Sequence, residues 1–397
     1  MNIKIWILQD FLPPNKYPYS DINHMSKILI IGDTHLGLGY PNSVDKWFKV
    51  HREYFEEFLL PLVTKELTKD DIIIHCGDLF DNRSVVPINI LNYAQDLLEK
   101  LAKICPMHIL IGNHDLYTKA SNDVNTVKLY KYIPNITVYE EPTKIEFCGK
   151  SILMLPWVEK KSDQINQLKK FSGSDYLFCH SDLNGAKMHL TSVAHKNNDK
   201  IDVEEFSGYK NVYSGHIHIL QVTKNFTFVG NNFEMDRNDI NNQKGIFILD
   251  VIGESERFVK NEISPRYKKI YIRTQEDIDI LESISTKDYI DLFISNSLLI
   301  NNRKLRRKLE MVLETGNFAS VDYIDDIVNE EKSTKTVLDE LTEEELKAGV
   351  IPSIELDYTD LIREYINNQK YESEKIKMGV ISEFNEVARI YDEGFTS

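Results

Sequence analysis

Five short polar clusters, each following an apolar run, carry the side chains best suited to chemistry. They are Gly32-Asp33-Thr34-His35, Gly77-Asp78, Gly112-Asn113-His114-Asp115, Cys179-His180 and Gly215-His216-Ile217-His218. Mixed carboxylate, amide and imidazole sites suit Mn, Fe or Zn, whereas soft thiolate sites select zinc. Asp33, His35, Asp78, Asn113, His180, His216 and His218 offer more ligands than one metal needs. They fit two cations about 3.5–4 Å apart, which clamp a phosphate ester and lower the pKa of bound water to about 7. One residue must bridge such a pair, and Asp78, with two oxygens, suits that. Asp33 and His35 alternate by two and can face one cation. His216 and His218 alternate the same way, and each can serve a different one.

His114 adjoins Asn113 but points elsewhere in an extended chain. That makes it the natural general acid for the leaving alkoxide, a role typically worth ~10²–10⁴ in rate. Such a histidine needs a partner to fix its orientation, and Asp81, three residues beyond Asp78, offers a carboxylate. Arg83 could hold a phosphate or serve as a plain surface residue. His24, His51, His75, His108, His189 and His195 read as structural or surface residues, although His189 and His195 follow His180 closely enough to touch a substrate.

A site assembled from separate pieces needs elements that bring their ends together. Ile28–Ile31, Ile72–His75, Met107–Ile111, Tyr176–Phe178 and Val212–Tyr213 are continuous apolar runs, as expected of strands buried on both faces. Helical periodicity fills residues 47–66 and 88–104 between them. In open α/β sheets, ligands bind beyond the carboxyl ends of the strands, and every cluster stands at such an end. Residues 145–155 and 226–250 are expected to add further strands, mostly antiparallel. This main domain spans residues 25–262.

At 397 residues the chain has room for two or three domains, and 42% hydrophobic with 27% charged residues describes an ordinary globular core. Apolar runs of 18 residues are absent, so no membrane span is expected, and the opening IWIL is too short for a signal-peptide core. Cys76, Cys105, Cys148 and Cys179 show no CxxC spacing and read as reduced thiols in a reducing cytoplasm. Cys179 beside His180 is at most a weak additional ligand. Net charge is −15, which argues against a polyanionic substrate until its distribution is seen. Residues 321–397 hold 20 acidic and 8 basic residues; the first 320 hold 42 and 39, nearly balanced.

Residues 1–24 read as an extension or an early start, with a short ordered arm as the alternative. Residues 263–327 read as a small α+β domain: strands at 267–272, 289–294 and 319–323, helices near 275–284 and 301–314. The second helix carries Arg303, Lys304, Arg306, Arg307 and Lys308, the densest basic run in the chain. Residues 328–353 read as an acidic linker. Residues 354–397 form two amphipathic helices, too short to bury both apolar faces alone; they dock on a partner protein or back onto the main domain.

The motifs resemble the calcineurin-like metallophosphoesterase superfamily, whose signature runs D-x-H, GD, GNH, H and GHxH in this order over about residues 25–250. Within it the chain is most similar to the SbcD-type double-strand-break-repair nucleases. Their phage branch, the small subunits of T-even-type recombination endonucleases, is the nearest. GDTHLG at 32–37, GDLFDNR at 77–83, GNHDL at 112–116, LPW at 155–157, HSDLNG at 180–185 and YSGHIH at 213–218 carry the likeness. The resemblance implies an α/β fold, a four-layer αββα sandwich followed by a DNA-binding cap and a partner-binding helical pair. It implies one metal on Asp33, His35, Asp78 and His218, and the other on Asp78, Asn113, His180 and His216. It also implies His114 as the catalytic histidine, Mn2+ as the working metal, a homodimer, and an SMC-like coiled-coil ATPase of SbcC type as partner. The family's activity is exonucleolytic on duplex ends and endonucleolytic on single strands. One departure stands out: cellular members often place a histidine directly after GDLF, where this chain has Asp81, and an Asp81–His114 pair is phosphatase-like. That departure bears on the balance of endo- and exonuclease action. The first alternative is a protein or nucleotide phosphatase or phosphodiesterase on the same scaffold, though protein phosphatases typically read GDxxDRG and GNHE where this chain has GDLFDNR and GNHD. A non-catalytic module is the second, though such a module should have lost ligands and none is missing.

Overall fold

The all-apolar runs become strands because both faces of each are covered. In the computed structural model, which describes residues 26–118, 121–190, 192, 197, 199–274, 276–277, 287–295, 306–307, 309, 311 and 318–324, the strands in chain order are as follows. The first six are β1 (Lys27–Ile31), β2 (Ile72–His75), β3 (Met107–Leu110), β4 (Leu116–Thr118), β5 (Ser121–Asn125) and β6 (Ile136–Tyr139). Next come β7 (Thr143–Phe147), β8 (Lys150–Leu155), β9 (Tyr176–His180), β10 (Asn211–Gly215), β11 (Gln221–Thr223) and β12 (Phe226–Phe228). The last are β13 (Gly245–Asp250), β14 (Ser255–Lys260), β15 (Tyr267–Ile272), β16 (Tyr289–Ser295) and β17 (Phe318–Ile324). The principal helices are α1 (Val44–Glu53), α2 (Leu60–Glu66), α3 (Ile88–Ile104) and α4 (Lys161–Lys170). A π-helical stretch, Tyr54–Leu59, joins α1 to α2 just before Pro61, whose ring and missing N–H disturb a regular helix.

One sheet runs β14-β13-β1-β2-β3-β6 and a second β11-β12-β10-β9-β8-β7. Alternation along β1 fixes the layering. Leu29 and Ile31 face a cluster with Trp47, Val50, Leu97 and Leu101 of α1 and α3, while Ile28 and Ile30 face Met154, Phe178 and Tyr213 of the second sheet. The far side of the second sheet buries Leu153, Leu177 and Val212 against Leu168 of α4 and Phe206. The order is helix, sheet, sheet, helix. α3 is held by Ile90, Ala94, Leu97, Leu98 and Leu101, all buried on one stripe.

Strands β1, β2, β3 and β6 are mutually parallel, as are β8, β9, β10 and β12. Residues 145–155 and 226–250 add strands that pair mostly antiparallel, as expected: β7 with β8, β11 with β12, and β13 with both β1 and β14. β8 and β12 also run parallel to β9 and β10. The reason is connection length. α4 carries the chain from β8 back to the start of β9, and β11 takes up the edge so that β12 enters beside β10.

β15, β16 and β17 form a parallel three-stranded sheet. Tyr289 of β16 packs near Trp47, with ring centroids 5.9 Å apart, and Arg237 makes a two-pronged ion pair with Asp291 at 2.6 and 2.8 Å. The chain falls into two units, Met1–Asp326 and Ile327–Ser397. The extension 1–24, the linker 328–353, the helical pair 354–397, and Arg303 and Lys304 lie outside the described residues. Among the described residues no helix is long and apolar enough to cross a membrane.

Candidate active site

The carboxyl ends of β1, β2 and β3 in one sheet and of β9 and β10 in the other deliver the five polar clusters. Strand ends alone would leave the loops loose, and two devices tighten them. The Thr34 and His35 N–H groups both donate to the Asp78 carbonyl at 3.1 Å, and Asp81 N–H returns to the Leu36 carbonyl at 3.0 Å. Asp115 then ties the β2 and β3 loops: its carboxylate accepts from Gly112 N–H at 3.0 Å, Phe80 N–H at 3.1 Å and Leu79 N–H at 3.3 Å. Burial, and then the charge of Asp78, push Asp115 up to about 7. His35, Asp78 and His216 adopt φ of 48°, 54° and 86°, strained backbone that costs roughly 1–3 kcal/mol per residue and concentrates at functional sites.

The glycines beside the ligands are there for space. A Cβ on Gly215 would lie 2.5 Å from Asp33 Oδ1 and 2.6 Å from the Cys76 carbonyl, and one on Gly112 would overlap Asp78. At these positions only hydrogen lets five loops meet.

The donor atoms converge on Asp78. His35 Nε2 lies 3.0 Å from His218 Nε2 and 3.8 Å from Asp78 Oδ2. His180 Nε2 lies 3.3 Å from the same Asp78 oxygen and 3.0 Å from Asn113 Oδ1, which is 2.8 Å from His216 Nδ1. Asp78 Oδ2 thus stands near two groups, His35 with His218 and His180 with Asn113 and His216. Asp33 stands beside both: it accepts His216 N–H at 3.0 Å and approaches His180 Nδ1 at 3.6 Å. Its oxygens group with those of Asp78 and with His180 within 4.8 Å.

The protonation pattern tests whether cations fit. His180 Nδ1–H donates to the Cys76 carbonyl at 2.8 Å, so in the neutral ring Nε2 is a bare lone pair. That lone pair looks at two oxygens, Asn113 Oδ1 and Asp78 Oδ2, neither of which can donate a hydrogen bond when Asp78 is ionised. Three acceptors aimed at one point call for a positive charge. Burial pushes His180 down, yet Asp78 and then Asp33 pull it up to about 9. Burial raises Asp78 while His180 and His35 hold it well below the usual carboxylate range. Burial and the neighbouring His35 push His218 down to about 3, keeping its ring neutral. The residues present fit divalent cations, which a bound metal would make more secure by inverting the local pKa logic.

His114 sits next to this cluster without joining it. Its main-chain N–H donates to Asp78 Oδ1 at 2.7 Å, and its Nδ1–H donates to the Asp81 carbonyl oxygen at 2.7 Å. Its ring centroid is 4.9 Å from that of His35. Asp81 therefore does meet His114, but through the main chain and not through the carboxylate expected from the sequence. Because Asp81 N–H is bonded to Leu36, the side chain turns toward His35, with Oδ1 3.3 Å from His35 Nδ1, though not aligned as a hydrogen bond. His35, Asp81 and His114 also fall within 4.8 Å of one another. With His114 Nδ1 committed to a carbonyl, that trio reads as orientation of two rings, not as a third cation site.

Arg83 is half-buried in the loop after Asp81, and Arg306 and Arg307 are exposed on a helical stretch before β17. The contacts that gather the cluster involve none of the three. Sequence reasoning missed Asp115, which reads locally as one more loop carboxylate. It also missed Asp182, whose Oδ2 lies 3.8 Å from His216 Nε2 and 3.0 Å from Lys200 Nζ. Trp157 packs its ring 5.0 Å from His216 and 5.9 Å from His180; the LPW run was its only signal. His51 and His75, set aside as structural, are indeed buried, both bonded to Thr34.

Residues 26–220 match the calcineurin-like phosphoesterases, and this part of the chain is a calcineurin-like phosphoesterase domain, a scaffold for metal-dependent hydrolysis. Over 355 residues the chain is 27% identical to exonuclease subunit 1 of Enterobacteria phage T4, covering 86% of this chain and 97% of that protein. It is also 27% identical over 203 residues to a protein of Invertebrate iridescent virus 6 named as a phosphoesterase, covering 48% of this chain and 64% of that one. A solved archaeal phosphodiesterase aligns with 59% of this chain at 12% identity and a TM-score of 0.32, a likeness on which nothing rests.

Proposed function

We propose that this chain is a two-metal DNA nuclease, a 3′–5′ exonuclease on duplex ends and an endonuclease on single strands. It processes DNA ends for recombination, repair and replication. The observation that carries the chemistry is the convergence of two donor groups on Asp78, with His114 held beside them and outside them. Two divalent cations there, Mn2+ by preference, would polarise the phosphoryl oxygens and supply a nucleophile from water near neutral pH.

The chain's own residues do the rest. Asp33, His35, Asp78 and His218 would hold one ion, and Asp78, Asn113, His180 and His216 the other. The Asp81 carbonyl fixes the proton on His114 Nδ1, so Nε2 is the nitrogen free to carry a second proton to the leaving oxygen. DNA as the substrate rests on the similarity to the phage T4 exonuclease subunit along nearly all of both chains. Residues 25–262 form the nuclease domain and 263–327 a cap, where Arg303, Lys304, Arg306 and Arg307, with Arg83 nearer the site, meet the phosphate backbone. Across the acidic linker 328–353, the helices of 354–397 grip an SMC-like coiled-coil ATPase, and two copies of the nuclease pair as a homodimer. The working place is the host cytoplasm.

The Asp81 carboxylate lies against His35 and the Asp81 carbonyl against His114, so the phosphatase-like carboxylate–His114 pair is not formed. The purified chain with Mn2+ should cut duplex ends and circular single-stranded DNA and leave a phosphopeptide intact. Release of phosphate from the peptide with both DNAs untouched would overturn the assignment. Deleting residues 354–397 should abolish co-purification with the ATPase while leaving Mn2+-dependent cleavage; continued co-purification refutes the tail's role.

A further inference from the structure

Lys244, the residue before β13, is fully buried, and the chemistry above makes no use of it. Its Nζ donates to the main-chain carbonyl of His218 at 2.9 Å and to the side chains of Asn231 and Asp239. Asp239 is held in turn by Met235 N–H at 2.9 Å and Asn231 Nδ2 at 3.1 Å. The same His218 carbonyl takes a second hydrogen bond, from Asn231 N–H at 3.1 Å. Two residues on, Leu220 N–H donates to the buried Asn242 side chain at 3.3 Å. Segment 231–244 thus tethers the loop after β10 at its His218 end. The other end is tethered separately: His216 N–H is bonded to Asp33.

A buried ion pair is a poor device for stability, since a well-packed apolar pair of similar volume often does as well or better. This one is aimed at a single atom, the carbonyl oxygen of a residue whose ring must keep Nε2 3.0 Å from His35 Nε2. The loop begins at His216 in strained backbone and has no strand ladder to hold it until β11. Something outside the loop must fix where His218 points.

We propose that Lys244, ion-paired to Asp239, is a positioning residue for one half of the metal site, pinning the His218 main chain so that its imidazole is presented to one cation of the pair. The inference rests on the two-cation reading. Its consequence is selectivity: the half containing His218 depends on Lys244, and the half containing His216 does not.

The test is Mn2+ titration of the full chain by calorimetry, with thermal melting followed alongside. The wild type should take up two ions. In Lys244→Met combined with Asp239→Asn, which removes both charges together, one ion should bind about 10–100-fold more weakly and the other as before, the usual effect of losing an outer-shell partner. Adding His216→Ala should leave only the weakened class, and adding His35→Ala only the unaffected one. A double variant that melts like the wild type and binds both ions normally, or loses both equally, overturns the proposal. If that variant does not fold, Asp239→Asn alone keeps the lysine without its counter-ion and should weaken the same class by a smaller factor; an unchanged titration there overturns it equally. Fewer than two ions on the wild type would instead refute the two-cation reading beneath it.

Discussion

Replacing His114 by alanine separates proton delivery from metal binding, because the two depend on different atoms of one residue. The contact from His114 to the Asp78 carboxylate is made by the main-chain N–H at 2.7 Å, and alanine keeps it. The side chain loses one hydrogen bond, to the Asp81 carbonyl, a change of about 0.5–1.5 kcal/mol in stability. No metal ligand is removed. The loss should therefore fall on the chemical step: about 10²–10⁴-fold in kcat, or roughly 2.7–5.5 kcal/mol of barrier. The assay compares a single-stranded oligonucleotide with bis(p-nitrophenyl) phosphate, both with Mn2+. An alkoxide leaving group needs a proton; p-nitrophenolate does not. Cleavage of the oligonucleotide should collapse while the aryl ester is cut nearly as fast as by the wild type, with Mn2+ uptake unchanged. Equal losses on both substrates, or retained cleavage of the oligonucleotide, would refute the general-acid role. So would a loss that tracks a fall in bound Mn2+.

Three further outcomes follow from particular distances and charges. Gly215→Ala drives a methyl into Asp33 and the Cys76 carbonyl at 2.5 and 2.6 Å, so it should weaken Mn2+ binding on both sides of Asp78 and lower Tm; normal titration would contradict the crowding argument. His108 is pushed by burial down to about 4 from 6.5, so the unfolded chain binds the extra proton between those values. Stability from His108 is complete above 6.5 and lost as pH falls toward 4. The unfolding free energy of the wild type minus that of His108→Gln should drop by about 2 kcal/mol from pH 7 to 5, and a flat difference would contradict it. Reversing Arg306 and Arg307 to Glu should flatten the log–log salt dependence of DNA binding by about 1–2 in slope, and an unchanged slope would remove that helix from the interface.

The convergence of these side chains was legible because each stands at or just beyond the end of a buried strand, and an apolar run ending in Gly-Asp or Gly-His marks both the strand and its end. The helices 47–66 and 88–104 were legible for the same reason: Ile90, Ala94, Leu97 and Leu101 recur at the helical period, and α3 buries them all. The double pairing of β8, antiparallel to β7 and parallel to β9, was not legible. Nor was the partner of His114. Sequence spacing placed Asp81 within reach but could not say which of its oxygens would arrive, because that depends on the bond from Asp81 N–H to Leu36, far off in the chain. Lys244 and Asp115 escaped for a related reason. Their roles consist of contacts to loops that local sequence does not connect, 26 residues back to His218 and 36 back to Leu79.

The central claim is that Asp78 bridges two cations, and the spin state of the Mn2+-loaded chain tests it most directly. Two Mn2+ ions sharing a carboxylate at about 3.5–4 Å are magnetically coupled. Electron paramagnetic resonance on the loaded chain should show two ions per chain with a coupled signal, and Asp78→Ala should abolish the coupling. One ion per chain, or two that resonate independently in the wild type, would contradict the account.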